Sequence, residues 1–312
     1  MYSIVIPIYN EQETIPELLR RVTAVIDNLE HPAEVVFVDD GSKDATFQLL
    51  SEAHQRDPRI KIIRFSRNFG HQVAISAGIE HASGEAIMIM DGDLQDPPEL
   101  LPEFLKKRSE GYDVVYAVRR KRKESVVKKL AYFMFYRLLQ RIAAIEIPLD
   151  SGDFSLIDEK VADALRAMPE RHRFVRGIRS WAGFRQIGLE YERDQRFGGE
   201  AKYTTAKLLR LALDGIFSFS YAPLRLASYI GLTIALISFV VALFYLLQKL
   251  LVGIDTKGWA STIIVILFLG GVQLLTVGII GEYIGRIYDE VKQRPLYMIR
   301  DCVGFKKRKK AR

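Results

Sequence analysis

The chain has 312 residues, with 45 Lys and Arg against 38 Asp and Glu and a formal net charge of +7, a length that supports one large or two modest domains with a proper core. Its single cysteine, Cys302, excludes an intrachain disulfide and fits a reducing compartment. The positive excess is clustered, in Arg119 to Lys123 and in Lys306 to Lys310 with Arg312, and such clusters suit anionic lipid, a phosphorylated substrate or nucleic acid.

The apolar run Ser3 to Ile8 is short, contains Pro7 and lacks the basic residues that open a signal peptide, so folded structure is expected from the N-terminus. Strands are predicted at Ser3 to Ile8, Val35 to Val38, Ile60 to Phe65 and Ala86 to Met90. Each finishes in a polar cluster: Tyr9-Asn10-Glu11, Asp39-Asp40-Gly41-Ser42, Ser66-Arg67-Asn68 and Asp91-Gly92-Asp93. Helical patterns fall between and after them, at Glu13 to Leu29, Asp44 to Arg56, His71 to His81 and Pro98 to Ser109. Continuous apolar strands alternating with helices predict an α/β fold whose mostly parallel sheet is covered on both faces. Ligands of such sheets sit outside the carboxyl ends of the strands, where all four polar clusters fall.

Two further helical patterns follow, Ser125 to Ile147 and Thr204 to Phe219. The first reads equally as an interfacial helix or as an amphipathic helix packed on the sheet, whereas the second, just before a long apolar segment, is expected at a bilayer surface. Leu226 to Leu247 has no charged residue, and Trp259 to Gly281 has Gln273 as its one strongly polar side chain. Both exceed the roughly 20 residues that cross a bilayer as a helix, and the short link between them predicts a hairpin. The basic residues Lys207, Arg210 and Arg225 and the C-terminal tail outnumber Lys249 and Lys257 in the turn, which places both termini in the cytoplasm.

The carboxylates of Asp91 and Asp93 at the mouth of a buried strand repel each other unless a cation intervenes. Hard divalent ions such as Mg²⁺ or Mn²⁺ prefer such oxygen ligands. Asp-x-Asp alone is common in turns, so the reading draws its weight from the surrounding motifs. "IVIPIYNEQ" at 4–12, "VDDGSKD" at 38–44 and "DGDLQDPPE" at 91–99 together resemble the family 2 glycosyltransferases of the GT-A fold, a Rossmann-like, mostly parallel architecture. "SGDFSLID" at 151–158, "RFVRGIRSWAGF" at 173–184, "RFGGEAKY" at 196–203 and the two apolar segments narrow the resemblance. It then points to polyprenyl-phosphate glycosyltransferases, such as bacterial undecaprenyl-phosphate glucosyltransferases and dolichol-phosphate mannose synthases.

The resemblance implies that Pro7, Tyr9, Glu11 and Asp39 cradle the nucleoside of a UDP-sugar, and that Asp91 and Asp93 serve its diphosphate and the Mg²⁺ or Mn²⁺ cofactor. Asp93 is the more direct ligand, counted with Asp153 of "GDF" as catalytic. Asp153 is the candidate base facing the acceptor, although a lipid phosphate is anionic near neutral pH and needs little base catalysis. Arg193, Arg196 and Lys202, with Arg119, are the candidate phosphate-binding cations on the acceptor side. Ala201 stands where the family pattern often has a hydroxyl residue, and Arg176 and Trp181 do not complete the QxxRW signature of processive synthases.

The expected organisation is a GT-A domain at 1–203, a juxtamembrane amphipathic helix at 204–224, two transmembrane helices at 225–283 and a cytoplasmic basic tail at 284–312. The expected activity is inverting, metal-dependent transfer of a hexose, glucose from UDP-glucose in first place, to undecaprenyl phosphate at the bacterial cytoplasmic membrane. The resemblance also implies contact with membrane lipids, a homo-oligomer and a flippase acting on the product. A mannosyl or aminosugar donor, GDP in place of UDP, and a non-catalytic nucleotide-binding membrane scaffold remain as alternatives. Nucleic acid is not the expected partner, because the basic runs flank membrane segments and show no aromatic-interleaved pattern.

Overall fold

The computed structural model describes residues 1–119, 151–171, 173–192, 222–252 and 258–305. The helices expected at 125–147 and 204–219 and the basic residues from 306 onward lie outside them.

Among the described residues of the first unit, eight strands form one sheet in the order β7-β5-β6-β4-β1-β2-β3-β8. The four expected strands are present as β1 (Tyr2–Ile8), β2 (Ala33–Asp39), β3 (Ile60–Phe65) and β4 (Ala86–Ile89). β2 is buried along its whole length and β1 from its second residue, as befits strands covered on both faces. The pairs β1–β2, β2–β3 and β1–β4 are parallel, so the carboxyl ends of four strands share one edge of the sheet.

The intervening helices are α1 (Ile15–Asp27), α2 (Thr46–Arg56), α3 (His71–His81) and α4 (Leu101–Ser109). α1 buries Ile15, Leu18, Val22 and Ile26, a stripe at helical spacing. α3 lies closer to the sheet: a methyl group at Gly78 would stand 2.1 Å from Cγ1 of Val5 on β1. Only glycine lets the helix sit there, and that approach brings the first residues of α3 to the carboxyl edge. At the opposite edge Glu34 of β2, 3% exposed, ties several elements together. It accepts from the Ser3 hydroxyl at 2.6 Å and the Ser83 amide at 2.6 Å, and pairs with Lys61 of β3 at 2.5 Å.

Four strands were not expected from the sequence: β5 (Val114–Arg119), β6 (Ser151–Asp158), β7 (Gln186–Tyr191) and β8 (Ile299–Val303). β6 runs antiparallel between β4 and β5, followed by α5 (Glu159–Ala167) and α6 (Val175–Trp181). β8 adds antiparallel to β3 at the sheet edge. The segment 284–312 is therefore not a tail throughout, because its early residues continue a helix to Val291 and Ile299–Val303 join the sheet.

The second unit contains α7 (Ala222–Val252) and α8 (Trp259–Val291), which contact each other. Within them Pro223–Val241 and Phe268–Val291 are long and apolar enough to cross a membrane, and almost none of either stretch is buried. Apolar side chains such as Phe239 and Leu274 are 67% and 76% exposed, a surface that water does not favour but hydrocarbon does. The helices overrun the expected spans, and the end of α8 is polar enough to carry an Arg286–Glu282 ion pair at 3.0 Å.

Candidate active site

The loops after β1 and β2 are laced together. The Asn10 amide donates to Ser42 Oγ at 2.9 Å, the Lys43 amide to Asn10 Oδ1 at 2.9 Å, and the Glu11 amide to Thr46 Oγ1 at 2.9 Å. Asn10 holds a positive φ of 52°, which an Asn side chain tolerates. These bonds set Pro7, Tyr9 and Glu11 beside Asp39, the register partner of Ile8. The Ser42 amide donates to Asp39 Oδ1 at 2.8 Å, while Oδ2 is buried, has no hydrogen-bond partner among the described residues and lies 3.5 Å from Arg64 Nε. Burial raises the Asp39 pKa, partly offset by Ser42 and Arg64. Asp40 has a structural task instead, accepting the Phe69 amide at 2.7 Å and the Gly70 amide at 3.0 Å, which fixes the approach to α3.

Beyond β4 the chain turns through Asp91, Gly92 and Asp93. A methyl group at Gly92 would meet Cγ2 of Ile8 at 2.6 Å, so glycine allows the two carboxylates to fold in beside the end of β1. The Gln95 amide donates to Asp93 Oδ1 at 3.1 Å, and Asp96, 1% exposed, accepts from the Tyr191 hydroxyl at 2.6 Å. Burial works against the Arg119 charge, but Tyr191, Asp96 and Asp91 outweigh it and raise its pKa, so this candidate phosphate ligand is a cation near Asp91 and Asp96.

A second cluster faces the first. His71 Nε2 is 3.4 Å from Asp91 Oδ1 and 3.4 Å from Asp153 Oδ2, with 38% of its side chain open. Burial disfavours the imidazolium, yet the two carboxylates prevail and push the His71 pKa up to about 9. Asp153, its side chain 7% exposed, stands 3.4 Å from Arg176 Nε and accepts from Gln72 Nε2 at 2.7 Å. Its burial is outweighed by Arg176, His71 and Gln72, which hold its carboxyl far below the usual range. Arg179, one turn after Arg176 and 1% exposed, has its pKa pushed down by burial to about 10 and is supported by the Asp153 charge.

Pro7, Tyr9, Glu11, Asp39, Asp91, Asp93, Asp153 and Arg119 thus belong to one unit, most of them at its carboxyl edge. Arg193, Arg196 and Lys202 lie outside the described residues. His71 and Gln72, expected only as the start of a helix and not as site residues, come within four residues of the polar cluster Ser66-Arg67-Asn68 that ends β3. Among the described residues no three His, Cys, Asp or Glu side chains form a metal-binding group. A pair of carboxylates suits an Mg²⁺-type ion, which keeps several waters and is bound through one or two carboxylates plus substrate phosphates.

A crossover sheet with strand-end carboxylates and an apolar helical hairpin defines a membrane-associated GT-A protein. The family description "Glycosyl transferase family 2" matches residues 3–166 and "GtrB C-terminal hairpin" matches residues 222–287. The chain belongs to glycosyl transferase family 2, as the motifs at 4–12, 38–44 and 91–99 implied. It is 50% identical over 309 residues to the uncharacterized glycosyltransferase YkcC of Bacillus subtilis, covering 99% of this chain and 96% of that one. To the SfII prophage-derived bactoprenol glucosyl transferase of Shigella flexneri it is 42% identical over 299 residues, covering 96% and 97%. The solved structure of glucosyl-3-phosphoglycerate synthase from Mycobacterium tuberculosis with Mn²⁺, UDP-glucose and phosphoglyceric acid overlaps at TM-score 0.47 and 18% identity, over 70% of this chain and 79% of that one. That overlap is too slight to carry a metal or a substrate across.

Proposed function

We propose that the chain transfers glucose from UDP-glucose to a polyprenyl phosphate, undecaprenyl phosphate in a bacterium, with inversion. The observation that carries this reading is the meeting of Asp91 and Asp153 around His71 at the carboxyl edge, in a chain 42% identical to a bactoprenol glucosyl transferase. Asp39 Oδ2 supplies acceptor capacity for the uracil N–H, and Tyr9 and Glu11 border the nucleoside. Asp91 and Asp93 would hold a divalent ion on the diphosphate. When bound, that ion offsets the charge developing on the departing UDP.

The chemistry is a single displacement. An oxygen of the lipid phosphate forms a bond to the anomeric carbon as the bond from that carbon to UDP breaks, and the electron pair leaves with UDP. No proton need be removed from an anionic phosphate. Asp153 accordingly acts as a fixed anion rather than a base: a carboxyl held so far below its usual range has little affinity for a proton. Its task is to hold His71 and Arg176 in place and charged at the acceptor side. Arg119 adds a cation for phosphate.

Residues before α7 and after α8 contribute strands to the same sheet, β7 and β8, which supports a hairpin that enters and leaves the bilayer on one side. The distribution of basic residues supports a cytoplasmic position for that side, where UDP-sugars are available. The full-length protein in liposomes containing undecaprenyl phosphate, given a panel of radiolabelled nucleotide sugars, should pass label into the lipid phase with UDP-glucose as the best donor. Failure to form a lipid product from any donor would overturn the reading.

A further inference from the structure

Gln72 makes two long-range hydrogen bonds at once. Its Nε2 donates to Asp153 Oδ2 at 2.7 Å, and its Oε1 accepts the backbone amide of Val175, the first residue of α6, at 2.7 Å. The Val175 amide can only donate, so Oε1 must face it and the NH₂ group must face the carboxylate. One side chain of α3 therefore fixes both β6, through Asp153, and α6, which carries Arg176 and Arg179. Its neighbour His71 contacts Asp91 on the metal side.

We infer that Gln72 is a positioning residue for glycosyl transfer, whose amide sets the distance between the Asp153–Arg176 pair and the Asp91 side of the cleft. The inference rests on the reading of Asp153 as a fixed anion of the acceptor side. A leucine or a methionine at this position could fill the space, but neither could bridge an N–H donor and a carboxylate. A carboxylic acid could do so only when protonated, its C=O accepting from Val175 and its O–H donating to Asp153. Ionised, it would repel Asp153, while His71, Arg176 and the more distant Arg179 and Asp91 also act on its proton affinity.

The test compares wild type, Gln72→Glu, Gln72→Met and Asp153→Asn as full-length proteins in liposomes with UDP-glucose and undecaprenyl phosphate, between pH 6 and pH 8. Loss of a hydrogen bond to a charged group predicts kcat lowered about tenfold or more in both Gln72 variants at pH 8, with the KM for UDP-glucose little changed. The Gln72→Glu deficit should shrink as the pH falls, because protonation restores the bridge, whereas the Gln72→Met deficit should stay constant. UDP binding measured by calorimetry confirms folding, and if Gln72→Met does not fold, the pH response of Gln72→Glu decides. Wild-type turnover in the Gln72 variants, or a Gln72→Glu deficit that does not change with pH, would overturn the inference while Asp153→Asn remains impaired. Wild-type turnover in Asp153→Asn would instead remove the reading of Asp153 on which it rests.

Discussion

Asp91, two residues past the end of β4, and Asp153 on β6 both stand 3.4 Å from Nε2 of His71, and β4 and β6 are antiparallel neighbours up to the pair Ile89–Ser155. The two carboxylates thus meet across one imidazole, although 61 residues separate them in sequence. His71 lies between them and offsets their mutual repulsion.

His71→Ala should therefore lower turnover strongly. With the imidazolium gone, Asp91 and Asp153 face each other and the arrangement of the cleft relaxes. Loss of charge-assisted contacts of this kind predicts a fall in kcat of about tenfold to a hundredfold. Steady-state kinetics on the reconstituted protein measures it, and turnover within twofold of wild type would show that the contact is dispensable.

Gly92→Ala tests how the carboxylates of Asp91 and Asp93, the proposed metal ligands, reach their place. The added methyl group meets Ile8 at 2.6 Å, which forces the turn away from β1. Ile8 is 3% exposed and has little room to yield. Expected is a loss of turnover together with a higher metal requirement, since both carboxylates move while their chemistry is unchanged. An unaltered metal titration would contradict the close approach.

The first four strands and the helices between them were legible in the sequence because central parallel strands are continuous apolar runs and α1 buries one regular stripe. β5 to β8 were not. β6 enters the sheet after a long intervening segment, and β8, Ile-Arg-Asp-Cys-Val, carries two charges and joins the edge only after the helical hairpin. The carboxylates of the DGD turn were legible from the strand-end rule, and Asp153 from its motif. His71 and Gln72 were hidden because the opening residues of a helix look like capping or solvent-facing positions. The turn after β4, the start of β6 and the seat of α3 on Val5 bring them to Asp91 and Asp153.

Glu34 should control acid stability at the far edge of the sheet. Burial raises its pKa, but Lys61, Ser3 and Ser83 outweigh it, so the folded carboxyl lies below the ordinary glutamate range. Its contribution is accordingly present above the unfolded pKa and is lost as the pH falls through the lower folded one. Glu34→Gln breaks the pair with Lys61 and should cost about 3 kcal/mol near neutral pH. The same variant should lose less stability than wild type on acidification through and below the ordinary glutamate range, a comparison that thermal unfolding at several pH values provides. Parallel acid limbs in the two proteins would show that Glu34 is not responsible.

If Asp91 and Asp93 hold a divalent ion for transfer from UDP-glucose to a lipid phosphate, lipid-linked glucose should form only with that ion bound. The rate of its formation by wild type and Asp93→Asn in undecaprenyl phosphate liposomes, titrated with Mg²⁺ and Mn²⁺ after chelation, measures this. Expected are no product without metal, saturable activation in wild type and near-complete loss in a folded Asp93→Asn protein. Metal-independent turnover, or an Asp93→Asn protein as active as wild type, would contradict that role.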